Sequence, residues 1–200
     1  MENPPLLVLA STSVYRRDLL ARLGVPFETA RPDVDETPLA GETPAATARR
    51  LAQAKARNVA ARYPRGALVI GADQVADLDG LAVSKPLSHA NAVEQLTRAS
   101  GRSVVFHTAV ALVDAPSGRC RERLIDVTTK FRTLTPTAIE HYLRHERPYD
   151  CAGAVKAEAL GIAIVESIRS DDPTALIGLP LISVVDLLRA EGVDVLAKGC

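Results

Sequence analysis

Apolar and polar positions alternate along the chain in blocks that switch between a strand-like and a helix-like period. Leu6–Ala10 is a continuous apolar run, the pattern of a buried strand, and Ser11-Thr12-Ser13 follows it. Leu19, Leu20 and Leu23 then recur at helical spacing and stop at Gly24, so the three hydroxyl residues are N-cap candidates for a first helix. Pro26–Ala30 reads as a second strand, and Pro32–Pro38 as an acidic loop fenced by prolines. Thr43-Pro44 supplies a cap and a proline at the first helical position. That helix runs to about Tyr63, with Ala48, Leu51, Ala52, Ala56, Val59 and Ala60 facing inward. Lys55 falls on the same stripe, where an apolar residue is expected. Either its stem snorkels to solvent, or its ammonium is aimed into an anionic pocket.

The stretch Gly66–Pro86 carries the sharpest local signal. Ala67–Ile70 is a short β-branched run that ends on Gly71-Ala72-Asp73-Gln74, and Asp79-Gly80 is a two-residue turn of the type that needs φ > 0 at both central positions. The turn predicts pairing of Leu78 with Leu81, Asp77 with Ala82, Ala76 with Val83, Val75 with Ser84 and Gln74 with Lys85. Pro86 then stands opposite Asp73 and ends the ladder, so a break in the strand is expected at Asp73. A helix over Ser88–Ser100 follows, then strand-rich segments at Arg102–Val113 and Arg119–Arg132, and a helix from Thr135-Pro136 to about His145. After a turn at Tyr149–Gly153, Ile162–Ile168 reads as an apolar strand. Asp171-Asp172-Pro173 is a loop, and Ile177-Gly178-Leu179-Pro180 leads into a last helix through Leu188 to Gly192. Alternating elements with adjacent antiparallel strands in the middle predict a mixed α/β domain spanning residues 1–200.

Composition narrows the function classes. Lys+Arg and Asp+Glu both count 24, so no global field draws the chain to nucleic acid or an anionic membrane, and any polyanion must be held by local placement of cations. The longest apolar region, near Leu176–Val185, is well short of the ~20 residues that span a bilayer. The opening MENPPLLVLAST has an acid, two prolines and too short an apolar run for a signal peptide. Cys120, Cys151 and Cys200 are odd in number and lack metal-type spacing, which suggests reduced thiols in a cytoplasmic protein.

Chemistry-bearing residues then cluster by type. Ser11-Thr12-Ser13 with Arg16 and Arg17 at a helix N-terminus resembles an anion site, or an ordinary cap with two solvated arginines. The turn has no glycine, against both the Walker loop and the dinucleotide fingerprint. Arg16, Lys55 and Lys85 as cations, with Glu36 and Asp73 as carboxylates, suit a metal-assisted phosphate site. Unrelated surface charges are the competing reading.

Five ordered motifs resemble one family. Leu9-Ala10-Ser11-Thr12-Ser13 with Tyr15-Arg16-Arg17, Pro32-Asp33-Val34-Asp35-Glu36, Gly71-Ala72-Asp73-Gln74-Val75, Ser84-Lys85-Pro86 and Gly178-Leu179-Pro180 are similar to the blocks of the Maf nucleotide pyrophosphatases. The resemblance implies an elongated α/β fold like that of inosine triphosphate pyrophosphatases, with a curved mixed sheet flanked by helices, and a homodimer. It implies a hydrolase of phosphoanhydride bonds that converts a nucleoside triphosphate to monophosphate and pyrophosphate with a divalent cation, Mg²⁺ or Mn²⁺. In these terms Asp73, Lys55 and Lys85 are catalytic, Glu36 and Asp73 hold the metal, and Ser11 and Arg16 bind substrate. Tyr15, Gln74 and Glu158 stand at the three positions that separate substrate groups, and are similar to the 7-methyl-GTP branch; Arg, Thr and Gln would mark the dTTP/UTP branch. The chemistry agrees. A carboxylate at Glu158 accepts the adjacent N1–H and 2-amino donors of guanine, and a cationic base stacked on Tyr15 gains roughly 0.5–2 kcal/mol. Val14 stands where the family usually has proline, and Ala154-Val155 and Ala159 replace Ser-Phe and Gly. A dTTP/UTP or broader modified-nucleotide pyrophosphatase, or a non-catalytic nucleotide-binding regulator of cell division, are the alternatives.

Overall fold

The computed structural model describes residues 5–197; Met1–Pro4, in the opening stretch read above, and Cys200 lie outside that range. Seven strands form one mixed sheet: β1 (Leu7–Leu9), β2 (Glu28–Thr29), β3 (Leu68–Leu78), β4 (Leu81–Val83), β5 (Ser103–Asp114), β6 (Cys120–Phe131) and β7 (Val165–Arg169). Five α-helices accompany them: α1 (Val14–Ala21), α2 (Pro44–Ala60), α3 (His89–Ala99), α4 (Pro136–Glu146) and α5 (Leu181–Ala190). The strand order is β2-β1-β3-β5-β6-β7, with β4 added to β3. β1 pairs in parallel with β2 and β3, and every other pairing is antiparallel. The expected mixed α/β architecture is therefore what the chain adopts. No helix among the described residues is long and apolar enough to cross a membrane.

Hydroxyl side chains start four of the helices, because each accepts a bond from a backbone N–H that the first turn leaves unpaired. Ser13, Thr43, Ser88 and Thr135 do this for α1, α2, α3 and α4, and α2 and α4 also carry proline in the first turn. The N-cap residue of α5, Pro180, has no side-chain acceptor to offer. Its N-terminus is instead capped from a distance by Asp172, 1 % exposed, whose Oδ2 accepts from the N–H of Ile182 at 2.8 Å and of Ser183 at 3.3 Å.

The period-2 alternation of β3 decides what each face of the sheet meets. Val69 and Gly71 face α2, whose alanines Ala48, Ala52, Ala56 and Ala60 pack on Val8, Ala109, Ala111 and Val113. Leu68, Ile70 and Ala72 face the opposite side and pack with Leu19 and Leu20 of α1 and Val184, Leu187 and Leu188 of α5. A third cluster, built on Phe106, Phe131, Leu96 and Leu143, closes the end of the sheet beneath α3 and α4.

Four expectations need correction. β2 is only Glu28–Thr29, not Pro26–Ala30. Ile162–Ile168 is not one strand: a 3₁₀ turn covers Leu160–Ile164 and the strand covers Val165–Arg169. Here Gly161 folds against the Lys156 backbone, and Glu146 Oε1 accepts the Leu160 N–H at 2.9 Å, so the segment is committed to a turn before it can pair. The hairpin has the expected turn, with φ 57 at Asp79 and 82 at Gly80, and the expected register from Leu78↔Leu81 to Ala76↔Val83. Its ladder stops there, without Val75–Ser84 or Gln74–Lys85. The cause is competition from α3 and the loop after α4: Gln95 Nε2 donates to Ser84 O at 3.0 Å, Asn91 Nδ2 to Pro86 O at 2.8 Å, and Leu87 N–H to Tyr149 O at 3.0 Å. Nor does β3 break at Asp73, because β5 pairs it continuously from Leu68 to Asp77.

Gly71 sets the approach of α2. A Cβ there would lie 2.3 Å from Ala52 O and 2.6 Å from Ala56 N, both backbone atoms. Gly71→Ala is therefore expected to lower unfolding stability by about 3 kcal/mol, the upper end of typical overpacking costs, in chemical denaturation. A variant as stable as the parent would contradict this packing.

Candidate active site

One edge of β3 carries two neighbours in succession. β1 pairs with it through Leu68–Ile70 and β4 through Ala76–Leu78, while β5 occupies the other edge throughout. Between them Gly71–Val75 has no strand alongside, because the chain leaves β1 through Ser11–Ser13 into α1 and the hairpin peels away after Val83. An open cavity of about 850 Å³ occupies this gap. It lies beyond the carboxyl end of a parallel strand where neighbouring connections diverge, the usual place for a ligand crevice in open α/β sheets.

Eight of the nine residues singled out in the sequence border this cavity: Ser11, Tyr15, Arg16, Glu36, Lys55, Asp73, Gln74 and Lys85. The centre is Lys55, 5 % exposed, which α2 holds over the face of β3 that carries Asp73, 7 % exposed. Its ammonium bonds Asp73 Oδ1 at 2.7 Å and Glu36 Oε1 at 2.8 Å. Of the two readings of Lys55, the structure selects the anionic pocket. Glu36 arrives from the proline-fenced loop with its side chain 59 % exposed. Partial burial alone would raise its pKa, but the bond and charge of Lys55, then the charges of Lys85 and Arg16, hold it below the usual carboxylate value. Arg16 is half-buried and its Nε donates to Gly178 O at 2.9 Å; burial pulls its pKa down, opposed by Asp73 and Glu36. Lys85 is exposed, and it reaches the cluster from the peeled segment after β4 rather than through a pair with Gln74.

Ser11, Tyr15 and Gln74 are tied to the framework as well as to the cavity. Ser11 Oγ accepts the Ser13 N–H at 3.1 Å and shapes the entry to α1. Gln74 lies on the opposite face of β3 from Asp73. Its Nε2 lies 2.9 Å from Thr108 Oγ1 and 3.0 Å from each of the carbonyls of Ala175 and Leu176, so its amide nitrogen anchors the segment that leads to Gly178. Tyr15 has the Lys156 ammonium 6.0 Å from its ring centroid, at the outer limit of a cation–π contact. Burial first, then the neighbouring Cys151, raises its pKa. Glu158 is exposed and does not border the cavity.

Sequence reasoning missed several contributors. Asp172 falls in a segment read only as a loop, yet it is buried and organises the turn before α5 through Thr174 and the N–H groups of Ile182 and Ser183. Leu87, Asp150 and Ala152 also border the cavity, and no local signal marks them. Cys120 and Cys151 are both free thiols.

The oxygen donors at the centre of the cavity are those a hard divalent cation takes. Such ions take oxygen ligands, and Mg²⁺ in particular is held by one or two carboxylates together with substrate phosphates and waters. Asp73 and Glu36 supply two carboxylates close enough to share one ammonium, and Asp73 Oδ2 is left over from the Lys55 bond. They fit an ion of this kind. Among the described residues, no group of three or more His, Cys, Asp or Glu forms a self-sufficient metal cage, in keeping with a cation that would need the substrate to complete its shell.

The chain is similar to known proteins over nearly its whole length. The chain is 55% identical over 192 residues to the 7-methyl-GTP pyrophosphatase of Methylobacillus flagellatus, covering 96% of this chain and 100% of that one. It is 59% identical over 191 residues to the protein of the same name from Polaromonas sp., covering 96% and 87%. A solved structure of a nucleoside-triphosphatase, dITP/XTP pyrophosphatase, from Mycobacterium abscessus matches with a TM-score of 0.39 and 18% identity, covering 70% of this chain and 95% of that one. The family model described as Maf-like protein matches residues 6–191. A match across nearly the whole chain, with relatives this similar, leaves one assignment: the chain belongs to the Maf family.

Proposed function

We propose that the chain hydrolyses 7-methyl-GTP to the nucleoside monophosphate and pyrophosphate by attack of water at the α-phosphorus. That it is a hydrolase acting on phosphoanhydride bonds follows from its similarity, across nearly the full length, to relatives named as pyrophosphatases. The observation that carries the finer reading is the buried Lys55 between Asp73 and Glu36, in a cavity also bordered by Arg16 and Lys85. Three cations from three separate elements match the charge of a triphosphate, and two carboxylates beside them suit a water nucleophile and a hard cation.

Each residue then has a task. Lys55 fixes Asp73 through Oδ1, which leaves Oδ2 either to accept a proton from water or to help hold the cation that orients it. Water oxygen bonds to the α-phosphorus as the bond to the α,β-bridging oxygen breaks, and the electron pair leaves with pyrophosphate. Arg16 and Lys85 bind phosphate oxygens and offset the charge that grows on the leaving group. The unpaired N–H groups at the start of α1, just after Ser11, add positive potential at the same place. Asp73 and Glu36 would hold Mg²⁺ or Mn²⁺, which when bound neutralises phosphate charge and polarises the phosphoryl oxygens.

Three measurements test this reading. Asp73→Asn is expected to lower kcat about 10²–10⁴-fold, the range for loss of a general base, in a pyrophosphate-release assay; near-normal turnover would contradict the assignment. Chelation with EDTA should abolish release and added Mg²⁺ or Mn²⁺ restore it, whereas activity indifferent to chelator would remove the metal from the account. In a panel of 7-methyl-GTP, GTP, dTTP and UTP, the methylated nucleotide should give the highest kcat/KM, and a clear pyrimidine preference would overturn the substrate.

A further inference from the structure

Glu36 reaches the site from a segment that supplies little support of its own. Residues 31–39 form no helix or strand, and residues 35–41 are all exposed, so burial does little to fix the Glu36 carboxylate. Its bond to Lys55 is an ion pair whose acidic member is 59 % exposed. Such a pair is weak by itself, because water screens the contact and the side chain gives up its freedom to make it. Something else must keep Glu36 in place.

α2 holds the segment from outside. Asn58 makes a reciprocal pair with Asp33: its Oδ1 accepts the Asp33 N–H at 3.0 Å and its Nδ2 donates to Asp33 O at 2.9 Å. Arg50 ties the other side of Glu36, with Nη2 donating to Thr37 O at 3.1 Å. Arg50 and Asn58 are about 12 Å apart along the helix, with Lys55 between them. Asp33, Glu36 and Thr37 thus meet Asn58, Lys55 and Arg50 in turn. The segment runs antiparallel to α2 and is fastened on both sides of its carboxylate.

Arg50 is itself preset. Its Nε and Nη2 grip both oxygens of Glu42, at 2.7 and 2.8 Å, in the two-pronged arrangement that a guanidinium makes and an ammonium cannot. Glu42 Oε2 also accepts the Leu39 N–H at 3.0 Å, and the Glu42 N–H donates to Leu39 O at 3.0 Å. Arg50 first, then the Leu39 N–H, hold the Glu42 carboxyl down to about 2, so the grip stays ionised near neutral pH. Neither Glu42 nor Arg50 borders the cavity, so the pair acts on the site through the segment it holds.

We propose that Arg50, gripped by Glu42, is a positioning residue that keeps Glu36 beside Lys55 and in place for the divalent cation. This rests on the function proposed above and adds the part of the chain that presents its exposed carboxylate.

The test follows two quantities in the parent chain, Arg50→Lys and Glu42→Gln. One is hydrogen exchange of the 33–39 amides without metal or substrate, and the other is the Mg²⁺ dependence of pyrophosphate release from 7-methyl-GTP. Arg50→Lys keeps the charge and loses the fork. It should speed exchange of the Thr37 and Leu39 amides at least about tenfold, as for a segment released from its tertiary bonds, and leave Ile182 and Ser183 of α5 unchanged. It should raise the Mg²⁺ concentration for half-maximal rate about 10–100-fold, the range for loss of a group behind a metal ligand, while kcat at saturating Mg²⁺ falls no more than about threefold. Glu42→Gln, which keeps the size of the side chain, should move both quantities in the same direction, and it stands in should Arg50→Lys fail to fold. In a Glu36→Gln background, Arg50→Lys should change the residual single-turnover rate by less than about twofold, since the two residues act through one group. Equal losses with and without Glu36, or unchanged exchange or Mg²⁺ dependence in both variants, overturn the inference while the function stands. A parent chain that releases no pyrophosphate overturns both.

Discussion

A lysine buried between two carboxylates is the interaction that the site depends on. Lys55 lies on the inward stripe of α2, where desolvation of an ammonium is costly and repaid only by close, well-aligned partners. Asp73 and Glu36 provide them at 2.7 and 2.8 Å. For this to happen α2 must lie close on β3, and the alanine face of the helix together with Gly71 allows that approach. Glu36 must also reach in from an exposed loop. Removal of Lys55 takes the shared ammonium from both carboxylates at once, so packing and chemistry are linked at this point.

The gap along β3 turns that ion cluster into a usable site. A strand that paired on both edges along its whole length would have no room beside Asp73. Here the start of one edge, Leu68–Ile70, is taken by β1 and its end, Ala76–Leu78, by β4, and the five residues Gly71–Val75 between them remain open. Alternation of side chains along those five residues gives Asp73 to the ion cluster and Gln74 to the scaffold. Gln74 and Thr108 tether Ala175 and Leu176, Asp172 and Thr174 organise the following turn, and Gly178 presents its carbonyl to Arg16. A chain of hydrogen bonds thus fixes Arg16 from the opposite side of the sheet.

Much of this was legible in the sequence, for local reasons. Asp79-Gly80 determines a turn and therefore three pairs of the hairpin. Ser13, Thr43, Ser88 and Thr135 mark helix starts because their bonds are made within one turn. Lys55 is conspicuous because it breaks an apolar stripe. Other features were not legible, because they depend on partners far away in the chain. The hairpin leaves its ladder at Ser84 under the pull of Gln95, Asn91 and Tyr149. Asp172 carries no local mark that separates a buried cap from a wet loop acid. Glu158 sits in a segment similar to a family block, but the turn around Gly161 that places it outside the cavity lining follows from the contact with Lys156 and the end of α4.

In the proposed mechanism this cluster directs water to the α-phosphorus. Hydrolysis of 7-methyl-GTP in ¹⁸O-labelled water, with both products analysed by mass spectrometry, tests it most directly. The geometry predicts one ¹⁸O atom in the nucleoside monophosphate and none in pyrophosphate. Label in pyrophosphate, or release of orthophosphate in its place, would contradict it.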